Sequence, residues 1–281
     1  MGRFQNSIAL AKASLAVLRE DKKLTLLPLI SGVVTLIVAA SFLIPTAILS
    51  HDSTAAGGYD AKPVTILLAL LGYIACAFVV VFFNSALVYA ADAKLHGVTV
   101  SIGDAVRFAW SRAHILLPWA LVSATVSIIL RAMRERGGII GAIAATIGGI
   151  AWSLVTFLVL PVLVVEGLGP IKAVKRSGEL FKRAWGEQVI ANAGIGIIAL
   201  FAILAGVVVL LPFLAIGGAA IIVGVALFVV WVIAVSLVSS ALTGILQIAL
   251  YRYATEGSVP GWDNASLQRA FTPRNRRGFL N

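Results

Sequence analysis

GPIKAVKRSGELFKRAWGEQVIANAGIGIIAL, residues 169–200, joins two different kinds of helix in one run. In its first half Ile171, Val174, Gly178, Phe181 and Trp185 recur at i, i+3, i+7, i+10 and i+14 and share one arc of a helical wheel. Lys172, Lys175, Arg176, Glu179, Lys182, Arg183 and Glu187 occupy the other side. Such a helix is too charged to cross a bilayer and too apolar on one face to stay in water, so it is expected to lie in the interfacial plane. Pro170 suits its first turn, where no backbone N–H is needed. Lys172, Lys175, Arg176, Phe181, Lys182, Arg183 and Trp185 are the expected membrane-interface residues. From Val189 the charges stop and an apolar span begins.

The rest of the chain repeats that contrast. Of 281 residues, 60% are hydrophobic and only 12% charged, well outside the range of soluble domains. Charge-free runs long enough to cross about 30 Å of hydrocarbon recur along its length. They predict an all-α, polytopic transmembrane helical bundle, a single integral membrane domain over residues 1–281. Six spans are expected at about 24–50, 64–91, 114–130, 139–165, 189–211 and 219–251, with a polar tail from 252 to 281. The net charge of +10 does not point to nucleic acid, because the cations flank apolar spans. The lone Cys76 excludes an internal disulfide. The first apolar run follows a charged 23-residue lead and is too long for a signal-peptide core, so it is expected to remain as an anchor.

Between the spans the sequence predicts interfacial helices and turns. Residues 3–19 place Phe4, Ile8, Ala11, Leu15 and Leu18 on one face. A second surface helix, about 101–113, places Val106, Ala109, Trp110 and Ala113 together. His51–Pro63 reads as an exposed turn, Arg131–Gly138 (RAMRERGG) as a short loop, and Pro212 with Gly217-Gly218 as the turn after span 5. Lys and Arg number five before span 1, three between spans 2 and 3, five between spans 4 and 5 and five after span 6. The opposite side carries only Lys62, Arg131, Arg134 and Arg136. That asymmetry predicts a multi-pass protein of the plasma membrane with both termini cytoplasmic, the arginines of the 131–138 loop being outvoted.

A threefold repeat is also visible. Each even span ends in a pair finishing in glycine: His96-Gly97, Glu166-Gly167 and Glu256-Gly257. A surface helix then opens at Asp104-Ala105-Val106, Lys172-Ala173-Val174 and Asn264-Ala265-Ser266, and Leu-Leu-Pro recurs at 26–28 and 116–118. The reading is three hairpins, each preceded by an interfacial helix, with a further surface helix in the tail.

Catalytic chemistry is not legible. His51, His96 and His114 lack ligand spacing, so no metal site is expected, and neither a nucleophile elbow nor a phosphate loop occurs. No catalytic or cofactor-binding residue is assigned, and no cofactor. The spans carry no charge at depth, which argues against ion coupling. Asn84, Asn192 and Gln247 are the candidate polar intramembrane residues; Asn84 and Gln247 are more simply interhelical hydrogen-bonding groups than a substrate site, while Asn84 and Asn192 are the polar residues that favour a transporter alternative. Asp92 and Glu166, at span ends, read as solvated carboxylates.

The segment Ala173–Gly186 (AVKRSGELFKRAWG) resembles a motif of uncharacterised bacterial six-span integral membrane families. It is distantly similar to the membrane domain that accompanies glycerophosphodiester phosphodiesterases. Gly178 stands where that motif carries a tryptophan. The resemblance implies an integral membrane protein of unknown activity, and phosphodiesterase chemistry is not carried over; the protein is read as one of the inner membrane. Expected partners are the bilayer, its anionic lipid headgroups and a membrane-protein partner, with no nucleic acid. The reading is a non-enzymatic module that organises lipid or binds a partner. The alternative is a transporter or permease component for an apolar or lipid-like substrate.

Overall fold

A computed structural model describes residues 13–55, 63–184 and 189–259. The described residues are 91% helical, without a strand among them. A helix whose described part covers 13–20 (α1) and a short 3-10 turn, Lys22–Thr25, lead into α2, Leu26–Ala55. There follow α3 (Pro63–Leu95), α4 (Ile102–Ser111), α5 (Ala113–Arg136), α6 (Gly138–Thr156), α7 (Val159–Val165), α8 (Pro170–Ala184), α9 (Val189–Ile216) and α10 (Ala219–Glu256). Each long pair, α2–α3, α5 with α6–α7, and α9–α10, is preceded by a short amphipathic helix.

Six of these stretches are long and apolar enough to cross a membrane, and their surfaces say the same. Leu36, Ile37, Ile222 and Val230 are all more than 60% exposed, with dozens of other large apolar side chains. A water-soluble chain rarely exposes so much contiguous hydrocarbon. In lipid it is the expected outer surface, because the helices satisfy their own backbone groups. The chain is a multi-pass membrane protein.

The chain divides into two compact units. Leu26–Ala90 and Val100–Gly178 make one of them; its core includes Phe82, Phe83 and Leu87 of α3, Leu116 and Trp119 of α5, and Leu158 and Val162 beside and within α7. The other gathers the residues up to Thr25, Ala91–Thr99 and the chain from Glu179 onward; its core is the last turns of α10, Ala241 to Tyr251. Close helix crossings rest on glycine. Gly72 faces the Cβ of Phe42, Gly148 faces Leu130, and Gly224 faces Phe213. Gly206 makes room for the Trp231 indole, whose N–H donates to the Ala202 carbonyl at 2.8 Å.

Several boundaries differ from those expected. α2 runs on to Ala55 rather than ending at Ser50; residues 56–62 of the expected turn lie outside the described residues. RAMRERGG is not a loop. α5 continues to Arg136, because these straight-chain residues favour helix and Arg131 Nε bonds Glu135 Oε1 at 2.7 Å across one turn. The chain reverses only at Gly137-Gly138, Gly138 having φ +56°. Pro212 is not a turn either: α9 passes through it to Ile216, and Gly217 and Gly218, both at positive φ, make the reversal. In α4 the buried residues are Ala105 and Ala109, whereas Trp110 is 69% exposed.

The fourth span, expected to be continuous, is interrupted. α6 stops at Thr156 and α7 starts at Val159. Pro161 has no N–H to offer the Phe157 carbonyl four residues back, which removes one rung of the ladder there. The residues expected to form the tail's surface helix, opening at Asn264-Ala265-Ser266, lie outside the described residues.

Candidate interfacial site

α8 has three faces, not two. Ala173, Ser177 and Leu180 form a stripe with 0%, 0% and 1% exposure, so this side is packed against protein. Lys172, Lys175 and Glu179 are exposed on the charged side. Between these two sides lie Ile171, almost fully exposed, and the half-buried Val174 and Phe181. The expected apolar arc is therefore present, displaced by about a quarter turn from the side that packs on the protein. Lys182 and Arg183 belong to α8, but their side chains lie outside the described residues, as does Trp185 altogether.

The buried stripe docks α8 by hydrogen bonds as well as by packing. Ser177 reaches into the interruption of the fourth span, where its Oγ–H donates to the Val155 carbonyl at 2.6 Å. The same oxygen accepts the Leu158 N–H at 3.2 Å. At the interruption the Leu154 carbonyl accepts from the Phe157 N–H at 3.4 Å, and the Leu158 N–H goes to Ser177 instead. A hydroxyl both donates and accepts, so one side chain satisfies two orphaned backbone groups. Gly178, next to it, leaves α8 close to Val155; an added Cβ would sit 3.9 Å from Val155 Cγ1. Arg176 Nε donates to Glu166 Oε1 at 3.1 Å. Arg176 thus turns toward the end of α7, and among the described side chains Lys172 and Lys175 are the cations α8 presents outward.

Glu166 precedes Gly167, which adopts φ +65° with the Arg112 guanidinium packed where a Cβ would stand. Arg112 also lies over the Phe108 ring at 5.6 Å, and Phe108 stacks on Tyr89 with centroids 3.9 Å apart. These contacts fix α4 against α3 and against the turn before α8.

The second unit contains an ion cluster of its own. Arg252 forms a two-pronged pair with Asp92, Nε to Oδ1 at 2.8 Å and Nη2 to Oδ2 at 2.7 Å. It also bonds Glu256 one turn on. Lys94 pairs with Glu20 at 3.2 Å, and His96 Nδ1 lies 2.8 Å from the Asp92 carbonyl oxygen. Asp92 and Arg252 are only 16% and 17% exposed. The expectation of solvated carboxylates at Asp92 and Glu166 is therefore overturned, because both are partly buried ion-pair partners. The structural contacts of Ser177, Arg252 and Arg112 are not read from the sequence, and Asp92 reads there as solvated.

The repeat supplied a usable signal for two of them. Gly97, Gly167 and Gly257 all close their helices at positive φ, 76°, 65° and 75°. In this conformation glycine has no Cβ to clash. Counted back five residues from these glycines stand Asp92, Val162 and Arg252. The acid and the base that pair are thus register equivalents in the first and third hairpins, while the middle hairpin has a buried valine.

Asn84 and Gln247 are half-buried, Asn84 beside the buried Phe83 and Ser85 of α3 and Gln247 beside the buried Leu246 and Ile248 of α10. They belong to different units. The Asn192 side chain lies outside the described residues. Among the described residues no group of three or more His, Cys, Asp or Glu side chains is placed to hold a metal ion.

A family model described as a family of unknown function, DUF6159, matches residues 63–261. The chain belongs to that family. The match takes in five of the six candidate spans, both ion-paired helix ends and all of α8. Neither the curated proteins nor the solved structures contain a match to it.

Proposed function

We propose that this DUF6159 member is a non-enzymatic module of a bacterial inner membrane, with both termini in the cytoplasm, that binds anionic lipid headgroups and thereby organises lipid around itself or a partner membrane protein. The observation that carries the reading is the three-sided character of α8. One stripe is fixed to the protein, one apolar edge is left for acyl chains, and Lys172 and Lys175 point outward. A helix held this way presents its cations at a fixed depth, each contributing about 1 kcal/mol near an anionic surface. The resemblance of Ala173–Gly186 to the membrane domain that accompanies glycerophosphodiester phosphodiesterases supports a lipid-facing role and carries no phosphodiesterase chemistry.

The test is native mass spectrometry of the full chain extracted in polymer nanodiscs. Retained phosphatidylglycerol or cardiolipin, lost when Lys172 and Lys175 are changed to Gln, supports the reading. Retention of zwitterionic and anionic lipid in bulk proportion, unaffected by those changes, overturns it. A second reading, a transporter component for a lipid-like substrate, is favoured by the interrupted fourth span, since discontinuous helices line many transport sites. Proteoliposomes that scramble a fluorescent phospholipid faster than protein-free ones would select it.

A further inference from the structure

α7 is short, seven residues, and both of its ends are fastened to α8. At its start Ser177 holds the Leu158 N–H and the Val155 carbonyl, and just past its end Arg176 holds Glu166. The two fastenings come from adjacent residues of one helix, so they act together. The interruption also lies where few other partners exist: Ser177 and Leu158 are fully buried, and lipid offers no hydrogen bond. Without Ser177 the Leu158 N–H and the Val155 carbonyl lose the side chain that holds them, and the start of α7 opens together with the seat of α8. The interruption of the span and the seating of α8 therefore depend on the same two hydrogen bonds.

We propose that α7 and α8 form a single lever hinged at Phe157–Leu158, through which displacement of α8 at the membrane surface loosens the start of α7 in the fourth span. Its input is anionic lipid on Lys172 and Lys175, a step that rests on the function proposed above. The lever itself does not depend on it. This is a two-state element with a named packing change at each end, which is what coupling between a surface and a membrane interior requires.

Hydrogen exchange of the full chain in nanodiscs tests the lever. Ser177→Ala is expected to speed exchange at least about tenfold both at residues 157–166 and at 170–180, with α9 and α10 unchanged. Faster exchange in one segment alone overturns the proposal. Should this variant not accumulate folded, the wild type decides on warming: one lever requires both segments to open with protection factors within about threefold of each other, and a tenfold gap overturns it. Replacing phosphatidylcholine nanodiscs by ones containing phosphatidylglycerol is expected to protect both segments in the wild type and only 170–180 in Ser177→Ala. Protection of α8 without α7 in the wild type sinks the lever. No response of α8 to phosphatidylglycerol sinks the lipid input, and the warming experiment then judges the lever by itself.

Discussion

Removing the guanidinium of Arg252 is expected to be among the most destabilising single changes outside the apolar core. The Asp92 carboxylate accepts two parallel N–H donors at 2.8 and 2.7 Å, the geometry in which an arginine–carboxylate pair is strongest. At an effective dielectric near 20, unit charges about 4 Å apart attract by about 4 kcal/mol. Both side chains are about one-sixth exposed, so solvent screens little of this. Arg252→Gln strands Asp92, and the expected loss is about 3 kcal/mol, the low end for breaking a buried pair. Asp92→Asn is expected to cost less, about 1–2 kcal/mol, because Arg252 keeps Glu256. The double variant should lose less than the sum of the two, with a coupling energy of about 1–3 kcal/mol. Thermal unfolding of the four proteins in one detergent, followed by intrinsic tryptophan fluorescence, measures the cycle. Strict additivity, or a larger loss from Asp92→Asn than from Arg252→Gln, would refute the argument.

Three further outcomes follow from geometry already given. Gly167→Ala should cost about 2 kcal/mol or more, since its positive φ is strained for alanine and Arg112 fills the Cβ space; Gly257→Ala meets only the backbone strain and should cost about 1 kcal/mol, so equal shifts in melting temperature would contradict the packing. Gly72→Ala would place a Cβ 2.7 Å from that of Phe42 and should destabilise by about 1–3 kcal/mol, whereas Gly178→Ala meets only an ordinary contact at 3.9 Å and should be neutral or stabilising by up to about 1 kcal/mol, both read from the same unfolding assay. Lys172→Gln and Lys175→Gln should each weaken binding to phosphatidylglycerol vesicles by roughly fivefold at low salt and by less at high salt; Arg176→Gln should act on melting temperature more than on lipid affinity, because Glu166 holds it.

The spans were legible because membrane insertion depends on local composition. Residues 139–165 read as crossing a bilayer whatever lies next to them. Helix ends were legible where glycine takes a left-handed turn, as at Gly97, Gly167 and Gly257. Prolines were ambiguous. Pro45, Pro118 and Pro212 stay inside helices, but the helix breaks just ahead of Pro161. What distinguishes that site is the hydroxyl of Ser177 on another element, and no local pattern around Pro161 reveals it. The interfacial character of α8 was readable from its charges, while its docking face was not: a stripe of Ala173, Ser177 and Leu180 carries too little hydrophobicity to stand out beside Ile171 and Phe181. The Asp92–Arg252 pair joins residues 160 positions apart, and only the shared register before two glycines hinted at it.

That separation bears on how the chain is made. Synthesis proceeds from the amino terminus, so Asp92 emerges and takes its place at the end of α3 long before Arg252 exists. One of the two compact units joins described residues up to Thr25 with described residues from Glu179 onward, and its core lies in the last turns of α10. Until the third hairpin has been inserted, the first carries a carboxylate without its cation and the lead segment has no core to join. Completion of that unit thus waits on the third hairpin, and a chain truncated after α8 would leave the Asp92 carboxylate at the end of α3 without Arg252.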